Sequence, residues 1–347
     1  MAQAYKPQVI HLIDDTTAGG VMRVLDHLTQ SQDLAQDADH RIMQVKRGQV
    51  SARRITADVI VSHLSISWRT LPALAALRAR HPFSRIIHVE HSYTAGFVQH
   101  NVTHQRRFFC LLRCAFRLFD TVVAVSKGQA DWLTGQQLVS PDKLSVIRSY
   151  VDLSPFAGLP PRIGPITHFG AIGRLDRQKG FDTLITAFRQ VKGLDLRLSI
   201  FGDGPESANL RALADGDPRI IFEGFAATPT APYAKVDAVL MPSRWEAYGL
   251  VAIEALAAGR RLVASNIDGL QDHRAIGADL LNGADVTDWA QKIANLARDT
   301  GQVATRDVGA IRGSENRQDW QWLLAQHHVL PERQDTFPTM VDTKNLS

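Results

Sequence analysis

Short, nearly continuous apolar runs alternate along this chain with longer stretches of helical periodicity. In the first half, residues 9–13, 59–61, 85–89, 121–125 and 144–147 have the length and apolar content of buried strands, while residues 21–28 and 71–80 read as helices. Strands with little polar alternation belong in parallel sheets covered by helices. Residues 159–165, Leu-Pro-Pro-Arg-Ile-Gly-Pro, are too rich in proline and glycine to continue an element. The pattern then restarts, with strands expected at 167–170, 196–201, 220–222, 238–241 and 262–264 and helices near 181–191 and 288–297. The expected architecture is α/β: two doubly wound, Rossmann-like halves, residues 1–158 and 166–325, facing a central cleft. The polar end, residues 335–347, is expected to be disordered. Ligands of such sheets bind beyond the carboxyl ends of the strands, so the cleft is the place to look for chemistry.

Composition narrows the class. A chain of 347 residues suits two domains, and 45% hydrophobic with 21% charged residues is a soluble, globular balance. No apolar run approaches the roughly 20 residues needed to span a bilayer, and the start is a polar lead into a strand rather than a signal peptide. The two cysteines, Cys110 and Cys114, stand four apart in an apolar segment, which on a helix argues against a disulfide and, without further ligands nearby, against a metal site. A cytoplasmic location is expected. The net charge of +4 suits anionic substrates or an anionic membrane surface and is too diffuse to imply nucleic acid.

The richest segment is Ser243-Arg-Trp-Glu-Ala-Tyr-Gly-Leu-Val-Ala-Ile-Glu-Ala-Leu-Ala-Ala-Gly259. Pro242 ends the strand before it, residues 250–258 are rich in strong helix formers, and Gly259 stops the helix. Gly249 lets the backbone approach closely at the junction. The amides of Gly249, Leu250 and Val251, unpaired at a helix start, would face an anion. Glu246 precedes the helix and Glu254 lies about a turn inside it. One acid thus reaches beyond the anion and the other reaches beside it, which suits a ligand built as sugar, diphosphate and ribose.

This segment resembles the Glu-x7-Glu signature of the retaining glycosyltransferases of family 4, which have the two-domain GT-B fold. Two acids at that spacing alone describe an ordinary solvated helix; the surrounding Tyr248-Gly249-Leu250-Val251 and Glu254-Ala255 carry the likeness. The resemblance implies that Glu246 contacts donor-sugar hydroxyls and Glu254 holds the ribose. It also covers Gly173-Arg174 and Lys179-Gly180, after the first strand of the second half, where the family binds the donor pyrophosphate. Arg174 offers a two-pronged guanidinium and Lys179 a point charge, both suited to a leaving group on which negative charge grows. Gly19-Gly20 matches the family's turn near donor phosphate and acceptor. His91, just past a strand, matches its histidine at the catalytic centre, whereas His88 falls inside the strand and reads as a packed residue. Gly202-Asp-Gly204-Pro resembles a turn near the nucleotide, Glu223-Gly-Phe225 lies where the family contacts the base, and Ser126 matches a family position of structural or functional meaning. Departures are Ser149-Tyr-Val-Asp152, where the family often has Asn-Gly-Val-Asp, and Asp268-Gly269, where many relatives have paired glycines.

The resemblance therefore implies a retaining, metal-independent transfer of a hexose from a UDP- or GDP-type sugar to a glycan or lipid-linked acceptor, in cell-surface polysaccharide assembly, with no cofactor. A dinucleotide-dependent oxidoreductase would want Gly-x-Gly-x-x-Gly after the first strand, and only Gly19-Gly20 stands there. A metal-dependent transferase would want Asp-x-Asp after a strand; Asp37-Ala-Asp39 and Asp215-Gly-Asp217 read as polar loops. A non-catalytic nucleotide-sugar binder remains the alternative. Residues 106–119 interleave Arg106, Arg107, Arg113 and Arg117 with apolar side chains and hold no acid before Asp120. Two readings stay open for this stretch: a core helix with arginines at its rim, or a helix lying on anionic lipid at the inner face of a membrane.

Overall fold

The computed structural model describes residues 6–17, 19–49, 55–160, 162, 164–282, 285–299 and 307–326; the expected disordered end at 335–347 lies outside them. Among the described residues the strands form two six-stranded, wholly parallel sheets. The first comprises β1 (Gln8–Ile13), β2 (Asp39–Gln44), β3 (Val59–Ser62), β4 (Arg85–Glu90), β5 (Thr121–Ala124) and β6 (Leu144–Val146), in spatial order β2-β1-β3-β4-β5-β6. The second comprises β7 (His168–Ile172), β8 (Arg197–Phe201), β9 (Ile220–Gly224), β10 (Ala238–Met241), β11 (Arg261–Ser265) and β12 (Asp279–Leu281), in order β12-β11-β10-β7-β8-β9. Each order reverses once, at β1/β3 and at β7/β10. Connections on either side of such a reversal leave for opposite faces, which opens a crevice at the strands' carboxyl ends.

Apolar burial holds each sheet. Every residue of β3, β5 and β10 is buried, as expected for strands covered on both faces. Helix Phe181–Gln190 turns Phe181, Leu184, Ile185 and Phe188 onto the second sheet at helical spacing, each contributing about 1.5–3 kcal/mol of transfer free energy. A single apolar cluster joins the two halves, running from Val24 and Leu25 to Tyr233, Ala252 and Leu256.

The sequence pattern differs from the structure at the edges. Strands β2 and β12 carry too little continuous apolar sequence to be expected, because each is an outer strand with one flank in water. Asp39 consequently opens a strand rather than lying in a loop. Helix Val308–Ala325, a stretch that falls within the expected second half but that the sequence pattern does not single out as a helix, contacts both halves. Its Arg312 donates to the Asp272 carbonyl at 2.9 Å, and Arg317 and Gln321 meet Asp37 of the first half at 3.1 and 2.9 Å. Arg85 of β4 donates to the Leu323 carbonyl at 2.7 Å.

Candidate active site

The two sheet reversals face each other across the cleft, and the loops leaving them carry the chemistry. The loop after β7 supplies Gly173, Arg174 and Lys179, and the loop after β10 supplies Glu246. Lys179 Nζ lies 2.5 Å from Glu246 Oε2, with both side chains mostly buried. Glycines make this approach feasible. Gly180, at φ 67°, sits where any Cβ would run into the Pro242 carbonyl oxygen, and Gly173, at φ 147°, lets the Lys179 chain cross over it. Behind them, Gly202 and Gly204 press against the Gly173 and Leu175 carbonyls, so the turn after β8 braces the turn after β7.

Helix Leu250–Ala257 begins at Gly249, in the left-handed region at φ 90°, so its open amino end lies beside the Lys179–Glu246 pair. One turn in, Glu254 is buried. Its Oε2 accepts from the Tyr233 hydroxyl at 2.6 Å. Arg23 reaches over from the first half to 2.6 Å from Oε1, in ionic contact but out of line for a hydrogen bond. Burial, with the Glu254 charge adding to it, pushes the Tyr233 phenol well above its ordinary range, so it stays a donor. The helix bearing Arg23, Gly20–Gln30, starts at Gly20, whose position close to Leu250 brings the first-half turn against the start of the second-half helix.

Asp268, which itself adopts φ 38°, ties the site to the first half. Its carboxylate accepts from Thr94 Oγ1 at 2.7 Å, from the Gly96 amide at 3.1 Å and from the Glu246 amide at 3.3 Å. Burial raises its pKa from the ordinary value, and those donors oppose the shift. Asp272 does similar work nearby, accepting from the amides of Lys127 and Gly128 and from Arg148. His91 stands just past β4 at the cleft, with Nε2 2.8 Å from His63 Nδ1. Burial holds its imidazole down to about 4, so it is neutral at physiological pH.

Residues 38–155 match the profile of Glycosyltransferase Family 4 and residues 167–299 that of Glycosyl transferases group 1, together more than half of the chain. The chain belongs to glycosyltransferase family 4. It is 29% identical over 303 residues to the 2-deoxystreptamine glucosyltransferase of Streptomyces kanamyceticus, covering 80% of this chain and 76% of that one. It is likewise 29% identical over 230 residues to the D-inositol 3-phosphate glycosyltransferase of Rhodococcus jostii, covering 57% of this chain and 49% of that one. HepE of Anabaena, crystallised with UDP, superposes with a TM-score of 0.69 at 17% identity over 92% of this chain and all of its own, which identifies the fold as GT-B.

Within this family-4 chain the structure brings together most of the residues expected from sequence. Glu246, Lys179, Gly173, Gly249, Leu250, Val251 and Glu254 converge on the second-half side of the cleft, and Gly19, Gly20 and His91 belong to its first-half wall. Arg174 points elsewhere: its side chain is 71% exposed and pairs with Asp176 at 2.5 Å. Phe225 follows β9 with 85% of its surface free, and its neighbour Glu223 is taken up by Ser199 and Lys235. His88 is buried inside β4 against Phe119, the packed position expected for it. Ser126 caps helix Lys127–Gly135 by accepting from the Gln129 amide, a structural role.

Sequence reasoning missed Arg23, Tyr233 and Asp268 as neighbours of the site acids. Arg23 had a readable signal, a basic residue one helical turn beyond a Gly-Gly turn. Tyr233 had none, because its partner stands 21 positions away.

Proposed function

We propose that this enzyme transfers a hexose from a UDP- or GDP-type sugar to a hydroxyl of a glycan or lipid-linked acceptor, with retention at the anomeric carbon and without a metal. The observation that carries this reading is the Lys179–Glu246 pair beside the open amino end of helix Leu250–Ala257, with buried Glu254 one turn further in. The spacing suits the three parts of a nucleotide sugar. A diphosphate set against the helix amides meets positive partial charge. Lys179, released from Glu246, then neutralises the charge that grows on the leaving phosphate. Arg174 is exposed enough to swing from Asp176 to the same phosphate.

Glu246, freed in the same exchange, accepts from donor-sugar hydroxyls, and Glu254 accepts from the ribose once Arg23 moves aside. Neutral His91 hydrogen-bonds at the reacting face without adding a charge there. The acceptor hydroxyl attacks on the face the phosphate leaves, and its proton passes to the departing phosphate oxygen. HepE has been crystallised with UDP-glucose as well as UDP, which supports a nucleotide sugar as the donor class. We place the activity in cell-surface polysaccharide assembly.

A thermal-shift comparison of UDP and GDP tests the donor. The matching nucleotide at 100 times its Kd stabilises the fold by about 2.7 kcal/mol, and no shift with either would remove the proposed site. Turnover unchanged by EDTA is expected, and its loss, restored by a divalent cation, would overturn the metal-independent mechanism.

A further inference from the structure

His40, His11, His63 and His91 come from β2 and β1 and from the residues just past β3 and β4, four strands adjacent in the first sheet. Their rings lie end to end. His40 Nδ1 is 2.9 Å from His11 Nε2, His11 Nδ1 is 2.9 Å from His63 Nε2, and His63 Nδ1 is 2.8 Å from His91 Nε2. Ring centroids are 5.1–5.2 Å apart with 25–28° between planes, the spacing of imidazoles bonded edge to edge. Trp320, on the helix that lies across both halves, packs edge-on against His11 and His40.

Such a row obeys a strict rule. A neutral imidazole has one N–H and one lone pair, and each contact needs one of each. If His11 carries its proton on Nδ1, His63 must do so too, then His91, and His40 must donate from Nδ1. If His11 carries it on Nε2, all four do. Only these two arrangements satisfy all three hydrogen bonds.

We propose that the four histidines act as one tautomeric unit, so that the ring at the sheet's outer edge sets whether His91 offers an N–H or a lone pair to the cleft. His11, His40 and His63 are then positioning residues. The two outer nitrogens, His91 Nδ1 and His40 Nε2, hydrogen-bond to no described residue, which leaves both ends available. His40 lines a pocket of about 370 Å³ with Lys6, Gln8, Thr29 and Asp39. Passage between the two states moves one proton across each of the three hydrogen bonds, while one enters at one end and one leaves at the other. The net charge of the row is unchanged.

The surroundings keep the rings neutral. Burial holds His40 and His91 down to about 4 and His11 and His63 well below their ordinary value. The flanking groups are Glu90 and His88 beside His91, His88 again beside His63, and Asp37 and Asp39 beside His40. The carboxylates favour protonation but do not offset desolvation.

Nitrogen-15 NMR of histidine-labelled full-length protein, without substrate, reads each ring's tautomer. All four should remain neutral at pH 6 and share one tautomer or one common ratio of the two. His40→Gln should shift that ratio at His91, three rings away. His63→Phe should abolish the response of His91 to the His40 substitution, giving a double-mutant cycle that packing changes alone would not produce. Different tautomers at His91 and His40 in the parent, or a His91 signal indifferent to His40→Gln in a folded variant, would overturn the proposal. The importance of this tautomer to sugar transfer rests on the proposed function, but the NMR result does not, so either can fail without the other.

Discussion

With Lys179 2.5 Å from Glu246, the first acid of the site is neutralised by the cation that a diphosphate also demands. Removing Lys179 should therefore weaken nucleoside-diphosphate binding and lower turnover by about 10²-fold or more. Arg174→Ala should act in the same direction, and parental rates in both variants would put the diphosphate elsewhere. The two acids should separate by calorimetry. Glu254→Ala should lose nucleotide affinity through its ribose contacts, whereas Glu246→Ala should impair transfer without weakening the free diphosphate; equal losses would sink the division of roles. Arg23 supplies a further test, because it occupies the oxygen of Glu254 that a ribose would seek. Arg23→Ala should strengthen binding of a bare nucleoside such as uridine, and weaker binding would mean that Arg23 supports the acid rather than guards it. The shared placement of Glu246, Glu254 and Lys179 was legible in sequence because two local motifs, Glu-x7-Glu and Lys179-Gly180, each follow a strand of the same sheet. The direction of Arg174 was not, since Asp176 competes for it two residues away.

Among the elements, strands covered on both faces were readable as apolar runs, while β2 and β12 were not, because outer strands need not be apolar. Helix Gln105–Phe116 illustrates how composition can mislead. Its run looked apolar on every side but for its arginines, yet the fold buries Leu111, Leu112, Ala115 and Phe116 and leaves Arg106, Arg107, Cys110 and Cys114 exposed. Arg113 is engaged with the carbonyls of Gln136 and Gln137, and Arg107 stacks over Trp68 at 5.7 Å. Among the described residues no helix is long and apolar enough to cross a membrane. The exposed basic face should bind anionic but not neutral vesicles, less as salt rises. Sedimentation with vesicles containing phosphatidylserine checks this, and Arg106→Glu with Arg107→Glu should abolish it in a folded protein. Binding that ignores the double substitution would place the contact elsewhere.

For the whole molecule, the buried imidazoles make stability depend on pH. His40, His91 and His273, the last buried with its Nε2 2.7 Å from the Tyr248 carbonyl oxygen, are each held down to about 4 by burial, so between that value and the ordinary 6.5 the unfolded chain binds protons that the folded one refuses. Their contribution is present above pH 6.5 and is lost as pH falls toward 4. Urea midpoints should be level from pH 7 to 8 and fall progressively between pH 6.5 and 4.5, and a rise on acidification would contradict the burial of these rings. The two-sheet plan was legible from the restart of the pattern after the proline-rich linker. Helix Val308–Ala325 was not legible as a link between halves, since nothing local to its sequence names Asp37 or Arg85 as partners.

That last helix alters the mechanics of the cleft. The backbone passes from the first half to the second near residue 160 and comes back to lean on the first sheet after residue 307. A body attached at one point can swivel freely, but one attached at two can turn only about the line joining them. Were the contacts across the cleft to release, these two attachments would favour the motion of a door over that of a pendulum, and Arg23 would return to Glu254 along one arc. A protease nick in the linker should accordingly leave the two pieces together on a sizing column.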